Sequence, residues 1–141
     1  MNTNKFLIGG IIGGIVYLLL GWLVWGMLLK DFMASNVGSA GNTMKADADI
    51  VWWSLIVGNI FSGLAVSYVL NKSGTKGAGS GAAVGATISL LVAAAYDLIM
   101  LGVSNIQNTT AACVDIGVSA VIGGIVGAVI GWYLSLGKKA A

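Results

Sequence analysis

The chain has 141 residues with a formal net charge of +2, and 57% of them are hydrophobic while only 9% are charged. Because a soluble domain usually carries about 25% charged residues, this composition excludes a soluble globular protein and indicates an integral membrane protein. The sequence has no His, Arg or Glu and a single cysteine, which argues against zinc sites and Cys/His catalysis, so we expect no enzyme activity, no cofactor and no nucleic-acid partner.

Four apolar stretches follow one another along the chain, and each exceeds the roughly 18–20 residues that a bilayer-spanning helix needs. They cover residues 6–29, 50–70, 81–103 and 111–136. Because backbone groups in lipid must be paired within their own segment, each stretch is predicted to be a helix. The predicted fold class is therefore all-α, a four-helix membrane bundle that forms one domain over residues 1–141.

The lysines predict how the chain is threaded, because lysine-rich loops stay in the cytoplasm. One side of the membrane would receive the lysines near both termini and in the loop 71–80, whereas the other receives Lys30 and Lys45 together with three aspartates. Tryptophans gather near the outer ends of the first two spans, which agrees with their preference for the headgroup level. We therefore expect both termini in the cytoplasm and the protein in a bacterial inner membrane.

Small residues recur at helical spacing in the first and fourth spans. Gly9 and Gly13 lie one turn apart in the first span. The fourth span carries a small residue at every fourth position, and this ridge comprises Ser119, Gly123, Gly127 and Gly131. In lipid, small residues at positions i and i+4 let two backbones approach closely. The ridge is predicted to pack against the first span or, alternatively, against another copy of the protein.

Two aspartates, Asp97 and Asp115, interrupt the third and fourth apolar stretches. If the chain turns near Ile106, both carboxyl groups lie at the same depth, one to two helical turns from the outer end. An ionisable residue at the centre of a spanning helix is unfavourable by about 2.5–3.5 kcal/mol, which makes it a candidate functional group. The pair is predicted to be either a cation or proton site or a structural clasp on the hairpin.

The two hypotheses differ in the partners of the carboxyl groups. In a clasp, Asp97 would bind Asn105 or Gln107, and Asp115 would lie near the amino-terminal end of the fourth helix, whose dipole favours negative charge. In an ion site, the two carboxylates would not both be charged in an apolar surrounding without a cation between them. Lys30, Lys45 or a bound metal ion are the candidates for that cation.

The second span carries one deep amide, Asn59, with Ser62 nearly one turn further on. Amide hydrogen bonds between membrane helices contribute about 0.6 kcal/mol on average. Asn59 and Ser62 are therefore predicted either to hold helices together or to line a polar path.

The end of the first span reads Gly21-Trp22-Leu23-Val24-Trp25, followed by Leu28 and by Phe32-Met33. It resembles the same region in a family of small four-span bacterial membrane proteins of unknown function. That family tends to show a glycine, then Trp-Tyr, then an aromatic–Met pair, whereas here Trp25 replaces the Tyr and the usual Pro is missing. The resemblance implies the four-span architecture and no activity.

Two functions fit these features. The first is a non-enzymatic membrane protein that acts by helix packing and assembly, as a homo-oligomer or as a small subunit of a membrane complex. Its partners would be the lipid bilayer and itself or another membrane protein. The alternative is a small cation or proton channel or transporter that uses Asp97 and Asp115.

Overall fold

A computed structural model describes residues 2–41 and 43–136 of the chain. The helices are α1 (Thr3–Leu23), α2 (Lys30–Ser35), α3 (Trp52–Lys72), α4 (Ala78–Val103) and α5 (Thr109–Ser135). A π-helical segment, Val24–Leu28, continues α1, and a 3₁₀ turn, Asp47–Asp49, precedes α3. The predicted all-α fold class is confirmed.

Four helices are long and apolar enough to cross a membrane: Thr3–Leu28, Trp52–Lys72, Ala78–Val103 and Thr109–Ser135. Their bounds agree with the four predicted spans to within a few residues. The first span includes the π-helical segment, and the short helix α2 lies outside the spans. The protein is therefore an integral membrane protein with α1, α3, α4 and α5 as its spanning helices.

Polar and glycine residues mark the ends of the spans. The side chains of Asn2 and Asn108 cap α1 and α5, because each accepts a hydrogen bond from the backbone N–H three residues further on. Between α3 and α4 the chain turns through Gly74 and Gly77, whose φ angles are +69° and +95°. Residues with a side chain rarely adopt such angles, so these glycines permit the turn.

Both ends of the described chain lie on one side of the bundle. There the Nζ atom of Lys5 donates a hydrogen bond to the carbonyl oxygen of Leu136 at 2.9 Å. We call this the terminus side. The opposite side, which we call the loop side, carries the connection between α1 and α3 and the connection between α4 and α5.

Glycines join the spans into two close pairs, α1 with α3 and α4 with α5. Gly127 of α5 lies against Gly81 and Gly85 of α4, so that a Cβ atom at Gly127 would overlap the backbone of α4. Gly63 of α3 meets glycines of α1 in the same way. Both hairpins therefore depend on backbones that approach each other where side chains are absent.

The predicted packing of the fourth span's ridge against the first span is wrong. Gly123, Gly127 and Gly131 lie against α4 of the same chain instead. The first span reaches α5 differently, with Gly9 and Gly13 against the side chain of Ile130.

The spacing of small residues in α4 explains this difference. Its amino-terminal end offers a glycine at every fourth position, Gly77, Gly81 and Gly85. Each glycine of the ridge therefore finds a backbone segment of α4 that it can approach. The prediction overlooked this second set of glycines.

The buried apolar core occupies the half of the bundle nearer the terminus side. It comprises Val66, Leu70, Ile122, Val126, Ile130 and Leu134. These residues come from the carboxyl-terminal half of α3 and from the middle of α5 onward. The half nearer the loop side is where the buried carboxyl group lies.

We expect Gly127→Ala to lower the free energy of unfolding by about 1–3 kcal/mol, the usual effect of overpacking, because the added methyl group would overlap the backbone of α4. Gly117→Ala is the matched control in the same helix, since nothing lies within 4 Å of a Cβ atom at Gly117. Reversible unfolding in detergent micelles, followed by circular dichroism, measures both variants. Equal stability of the two would contradict the role of the glycine contact.

Candidate functional site

The loop between α4 and α5 brings Asp97 and Asp115 to the same depth. Asp97 lies six residues before Val103, the end of α4, and Asp115 lies six residues after Thr109, the start of α5. At 1.5 Å per residue, each aspartate is about 9 Å from its helix end. The two carboxyl groups therefore meet in the loop half of the bundle, as a turn centred on Ile106 predicts.

Asp97 is only 2% exposed, which is uncommon for a carboxyl group. Its Oδ1 atom accepts a hydrogen bond from Nε2 of Gln107 at 3.1 Å. Its Oδ2 atom is buried and has no hydrogen-bond partner among the residues that the structure describes. Because a buried polar atom without a partner is unfavourable, this oxygen is a candidate acceptor for a ligand.

Asp115 is half-buried in α5 beside Asp97. Its Oδ1 atom accepts a hydrogen bond from Nε1 of Trp25 at 2.7 Å, and its Oδ2 atom accepts one from the Ser119 hydroxyl at the longer distance of 3.5 Å. The Asp97 carboxyl group is close enough to form a hydrogen bond with that of Asp115 when one of them is protonated. We call Asp97 and Asp115 the acid pair.

A change in helical winding accompanies the contact between Trp25 and Asp115. Trp25 belongs to the π-helical segment, in which the N–H of Leu29 bonds the carbonyl oxygen of Val24 at 2.7 Å. Such i→i+5 turns are rare in proteins, and those that occur are often found at functional sites. Trp25 was predicted only to lie near the headgroup level, and its contact with Asp115 was not expected, because neither composition nor helical spacing indicates a π-helical turn.

The two connections on the loop side close over the acid pair. The backbone N–H of Asn108 donates to the carbonyl oxygen of Asn36 at 3.1 Å, and the two side chains form a second hydrogen bond at 3.1 Å. Gln107, which donates to Asp97, also forms an isolated antiparallel bridge with Val37. Gln107 therefore links the acid pair to both connections.

The structure agrees with only part of the clasp hypothesis. Asp97 binds Gln107, which is one of the partners that a clasp would use. Asp115 lies six residues after the start of α5, beyond the first turn, where the helix dipole acts most strongly, and Asn108 caps this helix. The aspartate is held instead by Trp25 from another helix.

Neither of the two lysines suggested by the sequence binds the acid pair. Lys30 forms an ion pair with Asp47 at 3.4 Å, and both side chains are exposed. Lys45 is also exposed. Within residues 2–41 and 43–136, no group of three or more His, Cys, Asp or Glu side chains is arranged to bind a metal ion.

The predicted polar residues of the second span bond within their own helix. Nδ2 of Asn59 donates to the carbonyl oxygen of Leu55 at 2.8 Å, and the Ser62 hydroxyl donates to that of Gly58 at 3.1 Å. The side-chain hydrogen bonds that these two residues donate therefore lie within α3.

A polar contact that the sequence analysis missed lies deeper in the bundle. The hydroxyl groups of Tyr17 in α1 and Ser89 in α4 are 2.6 Å apart, and both side chains are half-buried. The sequence does contain a signal for Ser89, which lies eight residues before Asp97 and therefore on a similar face of α4. Tyr17 has no comparable signal, because an apolar ring with one hydroxyl group is usual in a helix core.

No protein-family model, no curated protein and no solved structure matches this chain. The resemblance at the end of the first span stays a prediction.

We expect Trp25→Phe to lower the free energy of unfolding by about 1–3 kcal/mol, because an aromatic ring remains while the acceptor on the half-buried Asp115 loses its N–H donor. Trp22→Phe is the matched control, since Trp22 lies in the same span but is 58% exposed. Unfolding in detergent micelles measures both variants. A loss of the same size in each would mean that the hydrogen bond to Asp115 is not what stabilises this region.

Proposed function

We propose that this integral membrane protein is a small cation or proton channel or transporter, with Asp97 and Asp115 as its binding site. The observation that supports this proposal is the Oδ2 atom of Asp97, which is buried next to a second carboxyl group and has no donor among the described residues. Two ionisable groups inside spanning helices are unfavourable for insertion. A hairpin that needed only fastening would be more stable with uncharged polar residues at these positions.

The surroundings of the acid pair resemble those of an occluded site. On the loop side, the hydrogen-bonded connections cover it. Toward the terminus side, Val126 and Ile130 are fully buried and fill the bundle. A ligand of the acid pair would therefore leave only after one of these two barriers opens, which is the behaviour of a transporter with alternating access.

We further propose that the loop side faces away from the cytoplasm, in a bacterial inner membrane. Lys5, Lys72 and Lys76 lie on the terminus side, and lysine-rich segments remain cytoplasmic. Lys138 and Lys139, which the prediction of the orientation also uses, lie outside the described residues. In this orientation the acid pair would be loaded from the external side.

Assembly into an oligomer or a larger complex is the alternative proposal, and the structure gives it less support than the sequence does. The ridge of small residues that motivated it packs against α4 within the same chain. An oligomer would have to use lipid-facing positions instead, such as Gly58, which has nothing within 4 Å of a Cβ atom. The mass of the protein in mild detergent distinguishes a monomer from an assembly.

Liposome flux measurements test the proposed transport function. We expect the purified wild type to carry a cation or protons, and the Asp97→Asn, Asp115→Asn double variant to fall to the level of protein-free liposomes, because asparagine preserves size but removes the ionisable group. Asp31→Asn is the matched control, since Asp31 is exposed in α2 on the same side. Equal flux in the wild type and the double variant, with both proteins folded, would refute a transport role for the acid pair.

A further inference from the structure

Hydrogen-bond donors already bind three of the four carboxyl oxygens of the acid pair. Trp25, Gln107 and Ser119 each direct an N–H or O–H group onto a carboxyl oxygen. A divalent cation would need those lone pairs, since Mg²⁺ and Ca²⁺ take about six or more oxygen ligands. Among the side-chain oxygens of the described residues, Oδ2 of Asp97 is the one that is buried without a donor. A single proton satisfies it, because a protonated carboxyl group can donate to its neighbour.

Polar groups continue from the acid pair toward the middle of the membrane. Ser119, whose hydroxyl donates to Asp115, lies one turn deeper in α5. One turn deeper again is Gly123, and the Ser89 side chain occupies the space where a Cβ atom of Gly123 would lie. Successive positions are four residues, or about 6 Å, apart along the helix axis, a separation that one bridging water molecule spans.

The last pair of polar groups in this series is suited to pass a proton between helices. The Tyr17 and Ser89 hydroxyl groups are 2.6 Å apart, and either can be the donor. A hydroxyl oxygen that accepts a proton from one neighbour can release its own proton to the next, so that each O–H bond formed is matched by one broken. The pair can therefore relay a proton in either direction without a lasting change in charge.

We infer that the transported species is a proton, that Asp97 and Asp115 share it, and that the Tyr17–Ser89 hydroxyl pair is the next position on its path. This inference rests on the proposed transport function and identifies its substrate. We call Asp97, Asp115, Ser119, Ser89 and Tyr17 the proton path.

The proton path ends at an apolar barrier. Val126 and Ile130 are 0% exposed, and Val66 is 2% exposed. On the far side of this barrier, near the terminus side, Ser67 donates to the carbonyl oxygen of Phe6 at 2.8 Å. Two polar regions are thus separated by packed side chains, so proton transfer across the membrane requires the barrier to rearrange in each cycle.

Tyr17→Phe and Ser89→Ala test the path, because each removes one hydroxyl group and leaves the acid pair intact. The matched controls are Tyr96→Phe, at a tyrosine that is 60% exposed in α4, and Thr87→Val, at an exposed threonine whose hydroxyl bonds within its own helix. Liposomes that contain a pH-sensitive dye report proton flux under an imposed pH gradient. Na⁺ and K⁺ flux are measured in parallel, and unfolding in detergent verifies that each variant is folded.

We expect proton flux to fall by about tenfold or more in Tyr17→Phe and in Ser89→Ala, since positioned proton-transfer groups contribute about 10²–10⁴-fold to rates in enzymes. The two control variants should retain the wild-type proton flux. Because the two test substitutions lie in different helices, the path can still be tested with one variant if the other fails to fold.

Three results would overturn the inference, and they can be distinguished. Aspartate-dependent Na⁺ or K⁺ flux without proton flux would refute the proton as the transported species but would agree with the proposed function. Proton flux that needs the aspartates but is unchanged in the folded Tyr17→Phe and Ser89→Ala variants would refute the path, because the hydroxyl pair would then only join α1 to α4. Absence of any aspartate-dependent flux would refute the proposed function together with the inference.

Discussion

The backbone contact between α4 and α5 determines the position of the acid pair. No hydrophobic force drives helices together in lipid, so close approach at small residues and polar contacts must supply the association. Gly85 packs on Gly127, and Asp97 lies twelve residues after the first while Asp115 lies twelve residues before the second. In each of the two antiparallel helices, about 18 Å separates the glycine contact from the aspartate. The register that fits the glycines is thus the register that pairs the carboxyl groups.

The other hairpin is built on the same kind of contact and supplies one donor to the acid pair, the indole N–H of Trp25. Gly63 meets Gly14 as Gly127 meets Gly85. Twelve residues after Gly85 comes Asp97, whereas twelve residues after Gly14 comes the π-helical segment that contains Trp25. One hairpin therefore contributes an acid where the other contributes an indole N–H, and the site forms where the two similar hairpins meet. Tyr17 and Ser89 join them a few turns deeper.

Sequence reasoning was sufficient for features that depend on one segment at a time. The four spans follow from length and hydropathy, and the matched depth of Asp97 and Asp115 follows from a symmetric turn. The partner of the ridge could not be predicted in this way, because glycines at helical spacing occur in three spans and spacing alone does not choose between them. The role of Trp25 was missed because it depends on a local π-helical turn. The bond that Asn59 forms within its own helix was not predicted, because the backbone of that helix offers an acceptor four residues earlier.

The two contacts of Gln107 affect how the site could open. Its side chain donates to Asp97 while its backbone bridges to Val37 in the other connection. The two connections cannot separate without either breaking that bridge or withdrawing the amide from the carboxyl group. If the bridge to Val37 holds, a movement of the loop side would withdraw the amide from the buried carboxyl group, so that backbone dynamics in these connections would report whether Asp97 keeps its donor.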